Sequence, residues 1–416
     1  MKLVTELELP AFDHTDPSMR GERFHAEMAR LRSSGWLAQG PFGCVTLDRE
    51  SGEFFLRTRS AIFPGMKIAE IFGVSEGPLY EQMRRNILHV NGPDHSRLRS
   101  LVNPVLSQRA VERYRPAMRD SLEELLEGAV QDARASGLEG SEEEGEIRCE
   151  FVEAFAKPYP SQVIATVMGA PLEDAPRLHH WSNWIQRQFD AASMASELAE
   201  IEQAVGEFYE YAEDLVRARR ETPADDLISK LIEAEEEGER LSDVECINLV
   251  FNVLVGGVDT SQSQLAHAVR LLAQHPEQWR LLVEDPGLAE RVVEEALRFE
   301  PITPFTARIL TEDVEYRDVL FPEGTIVMVC AFTANRDLAE GGESFDITAH
   351  RGRARPLTFG AGVHYCLGAN LARLELIEGL EFIARRMHDL RLDGEPVFES
   401  VSGIYGLAEL PISFSL

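Results

Sequence analysis

Three glycines and one cysteine fall within ten residues at Phe359-Gly360-Ala361-Gly362-Val363-His364-Tyr365-Cys366-Leu367-Gly368. A helical pattern follows at once over residues 369–387, which predicts Cys366 at a helix N-terminus behind a loop that can turn sharply. Free N–H groups and the helix dipole stabilise a thiolate there and are expected to lower the thiol pKa. A thiolate so held suits nucleophilic catalysis or metal ligation. His364, two residues away, is the side-chain type a nucleophilic cysteine uses as its base.

A polar pair also interrupts an apolar helix. Ser242-Asp243-Val244-Glu245 fits a capping box. Apolar residues then recur at Ile247, Val250, Phe251, Leu254, Leu265, Val269 and Leu272 until Pro276 stops the pattern. The pattern predicts one helix of about 33 residues, about 50 Å long. Gly256-Gly257-Val258-Asp259-Thr260 lies in its middle. Two interior glycines cost about 1 kcal/mol each relative to alanine. Either another helix packs closely there, or something large and flat lies against them with Asp259 and Thr260 beside it. His95 and Arg99, four apart, share one helix face. Glu295 and Arg298, three apart, can pair on a helix that Asp285-Pro286 starts.

The elements that must position these groups are mostly helical. Helical patterns dominate from about residue 111 onward. Strand-like runs are short: residues 54–57, 314–316 and 325–330, the last behind the turn Pro322-Glu323-Gly324. Without regular β-α alternation, this predicts a mainly α fold with small β-sheets. We expect a single domain over residues 1–416, β-richer to about residue 60 and helical from about 61. The acidic stretches 136–146 and 233–239 read as solvated loops. With 41 Lys+Arg against 71 Asp+Glu, the net charge of −30 disfavours nucleic acid and anionic lipid as partners. No run of about 18 apolar residues predicts a membrane span. The acidic start lacks an apolar signal core, so a cytoplasmic location is expected. Cys44, Cys149, Cys246 and Cys330 are scattered, which fits buried, inert thiols better than a disulfide framework or zinc cluster.

Taken together these segments resemble the cytochrome P450 family. Phe359-Gly360-x-Gly362-x-His364-x-Cys366-x-Gly368 is similar to its haem-ligand signature. Glu295-Ala296-Leu297-Arg298 is similar to its Glu-x-x-Arg helix, and Gly256-Gly257-Val258-Asp259-Thr260 to its oxygen-activation helix. His95-Ser96-Arg97-Leu98-Arg99 resembles the His-x-x-x-Arg segment of soluble bacterial members. The resemblance implies a P450 fold with a long central helix over a buried haem b, and Cys366 as the axial iron ligand. A thiolate ligand favours O–O cleavage. By resemblance Phe359 packs on the ligand loop, His95, Arg99, Arg308 and His364 face the haem propionates, and Gly256 and Gly257 leave room for oxygen and porphyrin. Asp259 and Thr260 would deliver protons, while Glu295 and Arg298 would form a buried pair behind the haem. The family adds an arginine where this chain has Ser344, so either His350, Arg351 or Arg353 would replace it or the network would be smaller. Arg97 and Arg109 read as solvated charges.

The resemblance implies a monooxygenase that hydroxylates or epoxidises an apolar small molecule: a fatty acid, terpenoid, steroid or macrolide-like compound. Residues 66–72, Phe251, Val255, residues 302–305, Ile404 and Tyr405 would contact it. Electrons would come from NAD(P)H through a ferredoxin and its reductase. Arg109, Arg113, Arg115, Arg353, Arg355 and Arg373 would form the basic patch for that donor. The alternatives are a peroxide-driven peroxygenase and a non-catalytic haem-binding protein.

Overall fold

Six helices frame the site: α1 (Gly92–Val102), α2 (Ala175–Gln186), α3 (Asp243–Gly257), α4 (Asp259–Gln274), α5 (Ala289–Phe299) and α6 (Ala369–Arg386). The computed structural model describes residues 2–135, 146–236, 239–337, 341–352 and 355–416. Most of the acidic stretch 136–146 and residues 237–238 of the second lie outside the described residues, as does Arg353.

The capping box at Ser242 forms. Glu245 N–H donates to the Ser242 hydroxyl at 3.3 Å, and Ser242 N–H donates to the Glu245 carboxylate at 2.8 Å. The helix it starts is not one straight rod. It is hinged at Val258 (φ −86°, ψ −74°) into α3 and α4. Gly256 and Gly257 stiffen the backbone least, and the Thr260 hydroxyl donates back to the Gly256 carbonyl, a bond that bends helices. Among the described residues, 243–274 is the one helical stretch long and apolar enough to cross a membrane. Of its most apolar window 61% is buried inside the protein, which makes it the core helix. Leu254, Val258, Leu265, Val269, Leu376 and Leu380 belong to the largest apolar cluster around it. Each such side chain contributes about 1.5–3 kcal/mol by leaving water.

A five-stranded sheet runs in the order Leu37–Gln39, Cys44–Thr46, Ile326–Cys330, Phe305–Leu310, Ala61–Ile62. Its single parallel pair joins Cys44–Thr46 to Ile326–Cys330; the other pairs are antiparallel. Strands form at Val314–Tyr316 and Ile326–Cys330, where the sequence places them. Residues 54–57 are not a strand. They end the helix Arg49–Arg57, which Asp48 caps by accepting the Ser51 N–H at 2.8 Å. Ser51, Gly52, Phe55 and Leu56 are its buried side, a helical spacing that a four-residue window hides. With the helix Gly21–Ser34, helix and not sheet predominates in the first sixty residues.

Candidate functional site

The cysteine loop lies flat on the helix Arg49–Arg57. Gly362 sits at φ +72°, and a Cβ there would meet the Leu56 carbonyl oxygen at 2.6 Å, so only glycine fits. Cys366 N–H donates to the Phe359 carbonyl at 2.9 Å and closes the loop. The sulfur accepts from the N–H groups of Gly368 and Ala369, just before α6. Burial nevertheless outweighs these donors and pushes the thiol pKa up, the reverse of what the helix N-terminus alone predicts. A thiolate this deep needs a positive partner at the sulfur itself. Phe359 packs under the Arg373 guanidinium, 4.6 Å from the ring centroid, and edge-on to Tyr365.

Cys366 opens onto an internal cavity of about 450 Å³. Gly256, Thr260 and Ser261 of the hinge line it too. The two glycines divide the alternatives read from sequence. A Cβ on Gly257 would collide with Ile164, whereas one on Gly256 would meet nothing within 4 Å. Of the side chains proposed for substrate, Ile68, Phe72, Val255, Ile302, Phe305 and Ile404 line the cavity. Phe251 does not; it is buried against Phe208. Tyr405 does not either, because its hydroxyl accepts the Gly21 N–H at 3.2 Å in the core.

One part of the cavity wall is cationic. Arg99 donates to the Tyr365 carbonyl at 3.0 Å and Arg308 to the Ala307 carbonyl at 2.9 Å. Neither has a carboxylate within 4.0 Å among the described residues. Arg308 is only 3% exposed, and burial pulls its pKa down to about 10. The His95 and His364 rings lie 4.4 Å apart, and His364 Nε2 is 3.2 Å from the Asn91 amide oxygen. Burial, then His95, Arg308 and Arg99, bring His364 down to about 3. Four basic side chains thus converge with no carboxylate paired to either arginine among the described residues, an arrangement that calls for an anion.

Behind the loop, Glu295 and Arg298 form a buried two-bond pair, both contacts 2.7 Å. Arg298 also donates to the Gly342 and Ser344 carbonyls, each at 2.7 Å. Arg351 is the third member, 2.9 Å from Glu295. Ser344 therefore contributes its backbone oxygen, and the arginine comes seven residues later.

Two acids flank the hinge on opposite sides. Asp259 does not line the cavity. It accepts from the Ser182 hydroxyl and, at 3.4 Å, from the Asn183 amide of α2, and burial raises its pKa. Glu375 on α6 does line the cavity and escaped the sequence reading. Ser261 donates to its Oε2 at 2.8 Å, while Oε1 has no partner. Burial pushes Glu375 up to about 8. Its signal was present: Leu371, Glu375 and Gly379 share one face of α6 by fours, so a carboxylate sits in an apolar stripe.

Three of the six arginines singled out for a donor patch are engaged. Arg113 pairs with Asp225 at 2.9 Å, Arg115 with Glu112 at 2.9 Å and Glu378, and half-buried Arg373 with Glu294 at 2.5 Å. Arg97 is not a free solvated charge either, since it bridges to Glu245. Arg109 and Arg355 are exposed.

A lone thiol on one wall and two uncompensated guanidinium groups on another suit a flat metal macrocycle bearing two carboxylates. The fold and the site define a haem-thiolate protein. A profile of the cytochrome P450 family matches residues 72–386. The chain is 33% identical over 410 residues to luteothin monooxygenase of Streptomyces thioluteus, covering 98% of this chain and 96% of that one. It is 34% identical to mycinamicin IV hydroxylase/epoxidase of Micromonospora griseorubida over 75% of each. The structure of myxobacterial cytochrome P450 CYP267B1 in complex with myristic acid matches with a TM-score of 0.82 and 31% identity, over 97% of this chain and 98% of that one. The chain belongs to the cytochrome P450 family and is a monooxygenase of that family.

Proposed function

We propose that this protein hydroxylates or epoxidises a neutral, apolar small molecule of macrolide or polyketide type, with electrons from NAD(P)H through a ferredoxin and its reductase. The observation that carries this reading is the cavity lining. Arg99 and Arg308 are its only Lys or Arg side chains among the described residues. Both serve the haem carboxylates, which leaves no cation for a substrate carboxylate and argues against a fatty acid. The names of the luteothin and mycinamicin relatives support the same choice. Five free cysteines suit a reducing cytoplasm.

Bound haem supplies the activation of dioxygen. In this reading Cys366 ligates its iron, and His95, Arg99, Arg308 and His364 hold its propionates. Gly256 leaves the space a side chain would fill. The chain's own task is to exclude water and to hold protons at fixed atoms. Thr260 presents its hydroxyl at the cavity wall while its proton is shared with the Gly256 carbonyl. Glu375, up at about 8, is protonated at neutral pH, and the Ser261 hydroxyl links it to α4. Burial raises the Asp259 pKa on the outer side of the hinge, where Ser182 and Asn183 orient its carboxyl. A peroxide-driven reaction has no need of such a supply. The test is turnover of a neutral polyketide panel with ferredoxin, reductase and NAD(P)H against hydrogen peroxide alone. Product only with the electron donor is expected; equal product with peroxide alone overturns the reading.

A further inference from the structure

Asp259 faces away from the substrate cavity, so its protons come from elsewhere. Ser263 lies one turn along α4 on the same face, 3% exposed. A Cβ at Gly406 would come within 3.0 Å of both the Ser263 hydroxyl and a carboxyl oxygen of Glu399. Glu399 thus lies against the face of α4 that carries Asp259. Asp259 is 5% exposed, whereas Glu399 is half-buried and reaches solvent.

The two cations that act on Glu399 have partners of their own. Lys157, just before the helix Pro158–Met168, pairs with Glu153, and Arg187, just after α2, pairs with Glu197. From α2 itself come Ser182 and Asn183, bound to Asp259, and His179, bound to Gln262. Glu399 has no ion-pair partner within 4.0 Å among the described residues, so its carboxyl is free to exchange a proton. Burial raises the Asp259 pKa, and burial followed by repulsion from Asp259 raises that of Glu399.

We propose that Glu399 is the positioning residue through which Asp259 exchanges protons with solvent, along the outer side of the hinge and not through the substrate cavity. The inference rests on the proton-relay reading of Asp259 and Thr260. Its test is built to fail separately from that reading.

The haem-loaded ferric protein is transferred to D₂O without electron donor, and infrared spectroscopy follows the C=O stretch of the protonated carboxyl that Asp259→Asn removes. Glu399→Gln is expected to slow its exchange at least about tenfold, with Glu399→Asp restoring it to within about twofold. Glu375→Gln leaves it unchanged. In donor-driven turnover, Glu399→Gln raises the fraction of electrons lost to peroxide without changing substrate affinity, because Glu399 does not line the cavity. If Glu399→Gln loses the thiolate spectrum, Ser263→Ala carries the same expectation. Unchanged exchange in the Gln variant, equal slowing in the Asp variant, or no band that Asp259→Asn removes overturns the proposal. Unchanged coupling in Thr260→Ala would overturn the relay reading alone.

Discussion

The cysteine loop and the helix hinge are two walls of one cavity, and they are built in opposite ways. The loop is ten consecutive residues whose restraints are mostly local: the positive φ of Gly362, an N–H from Cys366 to Phe359, and donors from Gly368 and Ala369. The hinge wall gathers Thr260 and Ser261 from α4, Glu375 from α6 and, on its outer side, Ser182 from α2. Holding a metal needs one atom in one place, which a short turn can specify. Keeping a proton in an apolar interior needs several polar groups that satisfy one another, which only packing can assemble.

The sharpest break between the walls is spectroscopic. Cys366→Ser should abolish the red-shifted Soret band of the reduced carbon monoxide complex, while Cys44→Ser, Cys149→Ser, Cys246→Ser and Cys330→Ser keep it. Thr260→Ala should keep it as well, which separates ligation from proton supply. Next in size is the support behind the loop. Glu295→Gln leaves Arg298 buried without its partner and should cost about 3–5 kcal/mol, read as a lower denaturation midpoint and poorer haem retention. An unchanged midpoint would mean that the Gly342 and Ser344 carbonyls suffice for Arg298.

On the hinge wall, Thr260→Ala should keep haem and substrate binding but lower product formed per NAD(P)H by about tenfold, the remainder appearing as peroxide. Equal coupling would leave Thr260 as the residue that bends the helix and nothing more.

A smaller effect lies in stability. Burial pushes Glu375 up to about 8 in the folded protein from an ordinary value of 4.5. Below that lower value both folded and unfolded chains hold its proton. Between the two values only the folded chain does, so its contribution to stability is lost as pH rises toward 8. Thermal midpoints across pH 5 to 9 should therefore fall more steeply in the wild type than in Glu375→Gln. Parallel curves would place the carboxyl in contact with water.

The smallest effect concerns the donor. Because Arg113, Arg115 and Arg373 are already paired, ionic strength should change the reduction rate by only a few-fold. Arg109→Glu should slow it modestly. Val363, 70% exposed on the cysteine loop, offers apolar contact instead. Arg373→Glu should disturb the haem spectrum, since it removes the cation over Phe359 and the Glu294 pair.

Much of the molecule was legible in the chain. The glycine-cysteine loop, the Ser242 capping box, the Glu295–Arg298 spacing and the apolar stripe through 243–274 are local patterns, and periodicity or turn chemistry reads them directly. Where a pattern was too short, it misled: residues 54–57 are a short apolar run that reads as a strand, yet Asp48 caps them into a helix. The rest depended on tertiary structure. That Glu375 and not Asp259 faces the cavity, that Arg351 stands in for the arginine missing at Ser344, and that burial raises the Cys366 thiol against its helix dipole all follow from which surfaces meet. The physical reason is the same in each case. Spacing sets the face a side chain occupies, but desolvation and partners come from distant segments, and those decide its charge and its chemistry.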